Sequence, residues 1–322
     1  MTAIPENLAV VIMGPTASGK TELAAIIAKE CGGEIISADS RQVYKFLSAG
    51  TSKPEGKWTM LDNRSVYLVD TVPRHLSDFL DPRTVYDAGR FATEAGEISA
   101  GICCRGKRTV FEGGTGLYIH AYWNGLDPLP RADAALRSRL ERFALENGRA
   151  ALHARLAEAD PEAARNIPPN NIQRVTRALE VWELTGTPIS RFWTRKFRGT
   201  LPTHKAVFAV LDWNRSLLHD RIRERTNSVF DRWGEETHAL LEKGYPEDCP
   251  GLKSLGYPQM IDFLAGRLTR AQAAHRIITL TNAYAKRQTT WFRQYKNALR
   301  IRIEKPEDWD TASVAGRIMN AK

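Results

Sequence analysis

No apolar run in this chain of 322 residues approaches the ~20 needed for a membrane-spanning helix. The N-terminus, MTAIPENLAVVIMGP, has neither the basic start nor the small-residue cleavage site of a secretory signal, so the expected location is the cytoplasm. Only four cysteines occur, Cys31, Cys103, Cys104 and Cys249. None lies in a CxxC pair and no Cys/His cluster has zinc-finger spacing, so they are expected to be reduced and structural. Internal repeats, low-complexity tracts and long linkers are absent, which sets aside repeat architectures.

Acidic residues are missing from one long stretch. Between Phe263 and Ile303 there is no Asp or Glu, while Arg267, Arg270, Arg276, Lys286, Arg287, Arg293, Lys296, Arg300 and Arg302 all fall there. Those nine cations equal the formal net charge of +9, so the rest of the chain is neutral. A one-sided field of this kind suits a polyanion such as nucleic acid, and a solvated basic helix would give the same count.

What is present is an ordinary globular composition, 43% hydrophobic and 26% charged, in a chain long enough for one large domain or a core with an insertion. Leu8 to Met13 is a continuous apolar run, the pattern of a parallel strand buried on both faces. Thr21 to Lys29 has helical character. Glu34 to Ala38, Val66 to Val69, Thr109 to Glu112 and Ala206 to Leu211 read as further strands. Strands alternating with helices predict an α/β fold with a parallel sheet. The turn-rich Asn124 to Pro130 looks like a boundary. From Arg131 to about Arg198 the pattern is helical with no convincing strand, and from Arg215 it is again mostly helical. The expected organisation is a core of residues 1–125 and 200–322 with an α-helical insertion domain at 126–199.

Residues Gly14 to Thr21, GPTASGKT, match G-x-x-x-x-G-K-[ST] at every fixed position, between a buried strand and a helix. Gly14 and Gly19 permit tight backbone turns. After Pro15, successive N–H groups from Thr16, Ala17 and Ser18 onward, with the helix N-terminus, form a positive nest for phosphate. Lys20 adds a point charge and Thr21 a hydroxyl suited to Mg²⁺. The motif alone does not name the reaction, since kinases, NTPases and other phosphate-handling enzymes share it. Asp39 lies just past the carboxyl end of a strand, where open α/β sheets bind ligands. There it could hold Mg²⁺ or act as a general base, or it could simply cap a helix. Thr115, in the second glycine turn GGTG, could bond a ligand or cap the helix that follows.

Together the segments GPTASGKTELA (14–24), EIISADSRQVYK (34–45), GTSKP (50–54), LDPRTVYDAGRF (80–91), GGTGLYI (113–119), NNIQRVTRALEV (170–181), LLHDRIRER (217–225), LGYPQM (255–260) and AKRQTTWFR (285–293) resemble the bacterial-type tRNA dimethylallyltransferases, or tRNA isopentenyltransferases. They run in family order across nearly the whole chain. The resemblance implies a P-loop NTPase-like sheet flanked by helices, with an α-helical insertion. It also implies transfer of a dimethylallyl group from dimethylallyl diphosphate to N6 of adenine 37 in tRNAs reading codons that begin with U. The diphosphate would occupy the Gly14–Thr21 loop with Mg²⁺ on Thr21, and Arg225 matches the family's diphosphate-contacting arginine. Asp39 matches the proposed base, and with Lys20, Thr21 and Arg225 it makes the expected catalytic set. A flipped adenine and a single-stranded loop would be the RNA target.

Positions matching the family's tRNA contacts are Asp39, Ser40, Arg41 and Gln42, then Thr115 and Arg137. Gln173, Arg174, Val175, Thr176 and Arg177 follow, then Lys253, Gly256 and Tyr257 within Lys253–Pro258. The last set is Lys286, Arg287, Gln288, Trp291 and Arg293. Lys286, Arg293 and Arg300 recur every seven residues, which predicts one basic helix face. Tyr284, Trp291 and Tyr295 form a neighbouring aromatic stripe, expected to pack in the core. Arg221 and Arg223 are expected to be helix-surface charges. The chain departs from the family at PPNN (168–171), at RHLSD (74–78) and at Pro258, which puts individual RNA contacts in doubt. The implied partners are a tRNA anticodon stem-loop and the prenyl diphosphate, with no membrane, and the chain is expected to be a monomer. An adenylate isopentenyltransferase acting on free AMP, a small-molecule P-loop kinase and a catalytically silent RNA-binding protein are the alternatives.

Overall fold

The computed structural model describes residues 8–61, 63–193 and 200–321. The first seven residues and the end of the expected helical stretch, 194–198, lie outside the described residues. In chain order the elements are β1 (Ala9–Met13), α1 (Lys20–Glu30), β2 (Glu34–Ser37), β3 (Lys57–Leu61), β4 (Arg64–Val69), β5 (Val72–His75), α2 (Ala88–Cys104), β6 (Thr109–Gly113), α3 (Gly116–Asn124), α4 (Ala134–Ala159), α5 (Pro161–Asn166), α6 (Ile172–Thr185), β7 (Ala206–Trp213), α7 (Arg215–Glu242), α8 (Tyr257–Leu264), α9 (Arg270–Phe292), β8 (Leu299–Ile303) and α10 (Thr311–Met319). Two compact units result: Met1–Asn124 with Gly199–Lys322, and Gly125–Arg198.

The larger unit is built on one eight-stranded sheet in the order β3-β4-β5-β2-β6-β1-β7-β8. The six strands from β5 to β8 run parallel. At the other edge β4 pairs antiparallel with both its neighbours, β3 and β5. β1 sits between β6 and β7, so it is covered on both faces, and Val10 to Met13 are wholly buried. That is why its sequence is a run of apolar residues rather than an alternation. α1 and α10 cover one face, where Leu23, Ile27, Val314 and Ile318 join Val10, Ile12, Ile35 and Val110 in the core.

Three strands depart from the sequence-based expectation. β3 (KWTML) is an edge strand with mostly exposed side chains, so it carries no buried run. β5 (VPRH) contains a proline and a buried arginine, a composition that reads as a turn. β8 (LRIRI) lies in a stretch read as helical, yet it alternates Ile301 and Ile303 inward with Arg302 outward, the period of a strand.

The smaller unit is helical. α4, α5 and α6 start at Asp133, Asp160 and Asn171, whose side chains accept from backbone N–H groups of the first turn. Their inner faces bury Leu140, Leu152, Leu156, Val175, Leu179 and Val181. Among the described residues no helix is long and apolar enough to cross a membrane.

Candidate active site

The loop between β1 and α1 passes the carboxyl edge of the sheet, and the turns after β2 and β6 come up beside it. A cavity of about 720 Å³ opens there, within the range of small-molecule sites. Residues Thr16 to Thr21 of the loop line it together with Asp39, Gln42, Arg74, Arg221 and Arg225. The phosphate loop, the acidic residue and the arginine singled out from sequence therefore share one space.

Lys20 is buried and its Nζ donates to the Pro15 carbonyl at 3.1 Å. Burial pushes its pKa down, and the nearby carboxylates of Glu112 and Asp39 work against that. Arg225 donates to Thr16 Oγ1 at 2.9 Å. Burial lowers its pKa too, opposed by Asp39. One carboxylate thus senses both cations. Asp39 Oδ1 accepts the N–H groups of Arg41 at 2.8 Å and Gln42 at 3.4 Å, which fixes the chain just after β2. It forms a turn, not a helix cap. The Thr115 backbone N–H donates to the Ala38 carbonyl at 3.2 Å, and its Oγ1 accepts the Ser40 N–H at 3.0 Å.

A model of the IPP transferase family matches residues 42–295. The chain is 46% identical over 290 residues to the tRNA dimethylallyltransferase of Elusimicrobium minutum, covering 90% of this chain and 92% of that one. It is 41% identical to the tRNA dimethylallyltransferase of Geobacter sulfurreducens, over 94% of each chain. The chain belongs to the IPP transferase family. Its fold is similar to the crystal structure of the full-length tRNA isopentenylpyrophosphate transferase from Bacillus halodurans. The TM-score is 0.65 at 35% identity, with 98% of this chain and 95% of that one covered. The sheet is thus the P-loop NTPase-like sheet of these transferases.

Within that family frame the structure brings in residues that the sequence did not single out. Glu112, at the end of β6, accepts the Thr21 hydroxyl at 3.4 Å and pairs with the buried guanidinium of Arg74. Arg74 also reaches Gln42 Oε1 at 3.4 Å, so the RHLSD departure places a cation on the cavity wall. Arg221, expected to be a surface charge, instead donates from Nε to the Ala17 carbonyl at 2.9 Å. Its spacing of four residues from Arg225 was the available signal, because it puts both on one helix face. Trp213 Nε1 donates to the Ser18 carbonyl at 3.1 Å. Arg223 pairs with Asp220 on the helix surface, as expected.

A magnesium ion fits this donor set. Thr21 offers a hydroxyl and Glu112 a buried carboxylate, both hard oxygen ligands. Among the described residues no group of three or more His, Cys, Asp or Glu could hold a metal alone, so the remaining ligands would be phosphate oxygens and water.

The expected tRNA positions divide. Arg41, Lys253, Lys286, Arg287 and Arg293 are exposed. Gln288 is 5% exposed, accepts the Thr16 N–H at 2.8 Å and donates to the Gly114 carbonyl at 2.9 Å. It bridges the two glycine turns, and a Cβ at 114 would meet its amide nitrogen at 2.2 Å and displace that bridge. Trp291 lies against Gly116, and Tyr295 is buried. Tyr284 is largely enclosed and also faces the second glycine turn. It is hydrogen-bonded to Thr115, and burial, then the charge of Asp39, push its hydroxyl up to about 12. Gly256 packs on Trp233, while Tyr257 is buried and donates to Glu236 at 2.5 Å. Glu236 in turn accepts the N–H groups of Ser48 and Ala49 at 2.7 and 2.9 Å, anchoring the segment that leads to GTSKP.

The basic face also changes. α9 ends at Phe292, so Arg300 does not continue it. Arg300 sits in β8 and donates to the carbonyls of Phe292, Arg293 and Tyr295, closing the end of α9. In the smaller unit only Gln173 and Arg174 of the expected 173–177 set are exposed, while Val175 and Thr176 face the core. Arg137 and Arg177 both pair with the buried Glu180. Burial would raise the Glu180 pKa, but these hydrogen bonds hold it below the usual range.

Proposed function

We propose that this chain transfers a dimethylallyl group from dimethylallyl diphosphate to N6 of adenine 37 in the anticodon stem-loop of tRNAs that read codons beginning with U. The observation that carries the reading is that one cavity is lined by Asp39 together with the phosphate loop, its Lys20 and Arg225, in a member of the IPP transferase family.

The chemistry follows from those groups. The N6 lone pair attacks C1 of the donor, the C1–O bond breaks, and its electron pair leaves with the diphosphate. Lys20, Arg225 and the loop N–H groups stabilise the charge that develops on the leaving group. N6 becomes acidic as it gains positive charge, and the Asp39 carboxylate accepts the proton. Thr21 and Glu112 would hold Mg²⁺, which would supply further neutralisation of the diphosphate. Arg41, Lys253, Lys286, Arg287 and Arg293 supply exposed cations for the RNA backbone, and Thr115 with Tyr284 meets the target base beside Asp39. The chain acts as a cytoplasmic monomer.

Free AMP as acceptor would leave the acid-free stretch from Phe263 to Ile303 without a purpose. Incubation of the purified chain with Mg²⁺ and dimethylallyl diphosphate should prenylate an anticodon stem-loop with three adenines centred on position 37, and leave AMP unmodified. Transfer to AMP alone would refute the tRNA reading.

A further inference from the structure

The phosphate loop carries two residues in the left-handed backbone region, Ala17 at φ 62° and Gly19 at φ 82°. For alanine that region is unfavourable and persists only where the surroundings impose it. Alternation of right- and left-handed residues is what turns successive N–H groups toward one point to make an anion nest. The loop's outer side is held residue by residue: Arg221 takes the Ala17 carbonyl and Trp213 takes the Ser18 carbonyl. Arg221 also lies over the Trp213 ring at 4.6 Å.

The third contact comes from the far end of the chain. The ring of Trp309 lies against Gly19 so closely that a Cβ there would meet it at 2.3 Å. Trp309 also packs on Trp213, with ring centroids 5.3 Å apart and an interplanar angle of 48°. Asp308 shapes the turn that presents it, accepting the N–H groups of Glu304 and Lys305 at 2.9 and 3.1 Å. α10 then packs on α1, the helix that begins at the loop. Trp309 is not among the residues that line the cavity.

We propose that Trp309 is a positioning residue for donor binding. From behind the loop, and through Trp213, it holds the Ala17–Gly19 turn in the conformation that receives a diphosphate. The inference rests on the reading of this loop as the diphosphate site.

The test is calorimetric binding of inorganic pyrophosphate, with Mg²⁺, to the full chain. Trp309→Ala should weaken binding about tenfold, because a loosened loop must be ordered by its ligand. Trp309→Phe keeps a ring against Gly19 and should stay within about threefold of wild type. Ile318→Ala loosens α10 without touching the loop; it should lower the melting temperature and leave affinity within about twofold. In turnover assays Trp309→Ala should raise KM for the donor with kcat and KM for tRNA unchanged. Wild-type affinity in Trp309→Ala, or an equal loss in Ile318→Ala, would overturn the positioning role. Failure of the wild-type chain to bind pyrophosphate would overturn the reading of the loop itself, and the positioning role with it.

Discussion

Replacing Gln288 with leucine separates two roles for one residue. From its place in KRQTTWFR, Gln288 matches a tRNA contact; in the structure it is a buried bridge between the phosphate loop and the GGTG turn. Leucine fills a similar volume but makes neither hydrogen bond. The buried Gly114 carbonyl and the half-buried Thr16 N–H would each lose a partner, at about 1–3 kcal/mol apiece. A loss of about 3 kcal/mol overall corresponds to a fall in Tm of about 4–5 °C for a chain of this size, from about 2 cal/mol/K of unfolding entropy per residue. Functionally the freed loop should bind pyrophosphate about tenfold more weakly, while tRNA affinity stays within about twofold of wild type. Thermal melting, calorimetry with pyrophosphate and a filter-binding assay with tRNA measure the three quantities. Weakened tRNA binding with unchanged melting and pyrophosphate affinity would refute the bridge and restore Gln288 as an RNA contact.

The acid limb of stability should depend on Glu34. Its buried carboxylate is raised by burial, but His75 and Arg105 outweigh that and hold it at about 2 against an ordinary 4.5. A depressed pKa means stability that is complete above the unfolded value and is lost as pH falls from about 4.5 toward 2, up to about 3 kcal/mol. Glu34→Gln should flatten that limb in pH-dependent unfolding, and an unchanged limb would contradict the assignment. Joint replacement of Lys286 and Arg293 by alanine should weaken tRNA binding and reduce its salt slope by about 1.4, at about 0.7 per single-stranded phosphate contact. Arg300→Ala should leave the slope unchanged and lower the melting temperature, because its guanidinium is committed to the end of α9. The reverse outcome would return Arg300 to the RNA face.

The parts of this molecule that could be read from sequence are those fixed by local chemistry. β1 announced itself as an apolar run because both faces are covered, and the glycine loop because its backbone geometry restricts residue choice. β8 alternates as a strand does, but its short run sits among cations whose seven-residue spacing equally fits a helix. β5 could not be recognised at all: Arg74 is buried there only because Glu112 from β6 faces it. The same holds for the site. Lys20, Thr21 and Asp39 were visible because motif and strand end place them. Glu112, Trp213 and the bridging role of Gln288 arise from segments distant in sequence that meet only after folding. Helix periodicity alone would have divided Gln173–Arg177, since Val175 and Thr176 fall on the inner face of α6.

In the proposed reaction Asp39 takes the proton from an adenine amine while Lys20, Arg225 and the loop hold the departing diphosphate in the same cavity. Single-turnover prenylation of an anticodon stem-loop by wild type and Asp39→Asn tests it most directly. The asparagine keeps an oxygen for the Arg41 N–H, so the turn after β2 survives. The rate in Asp39→Asn should be lower by about 10²–10⁴-fold, with tRNA and pyrophosphate affinities within about twofold of wild type. A wild-type rate in Asp39→Asn would contradict it.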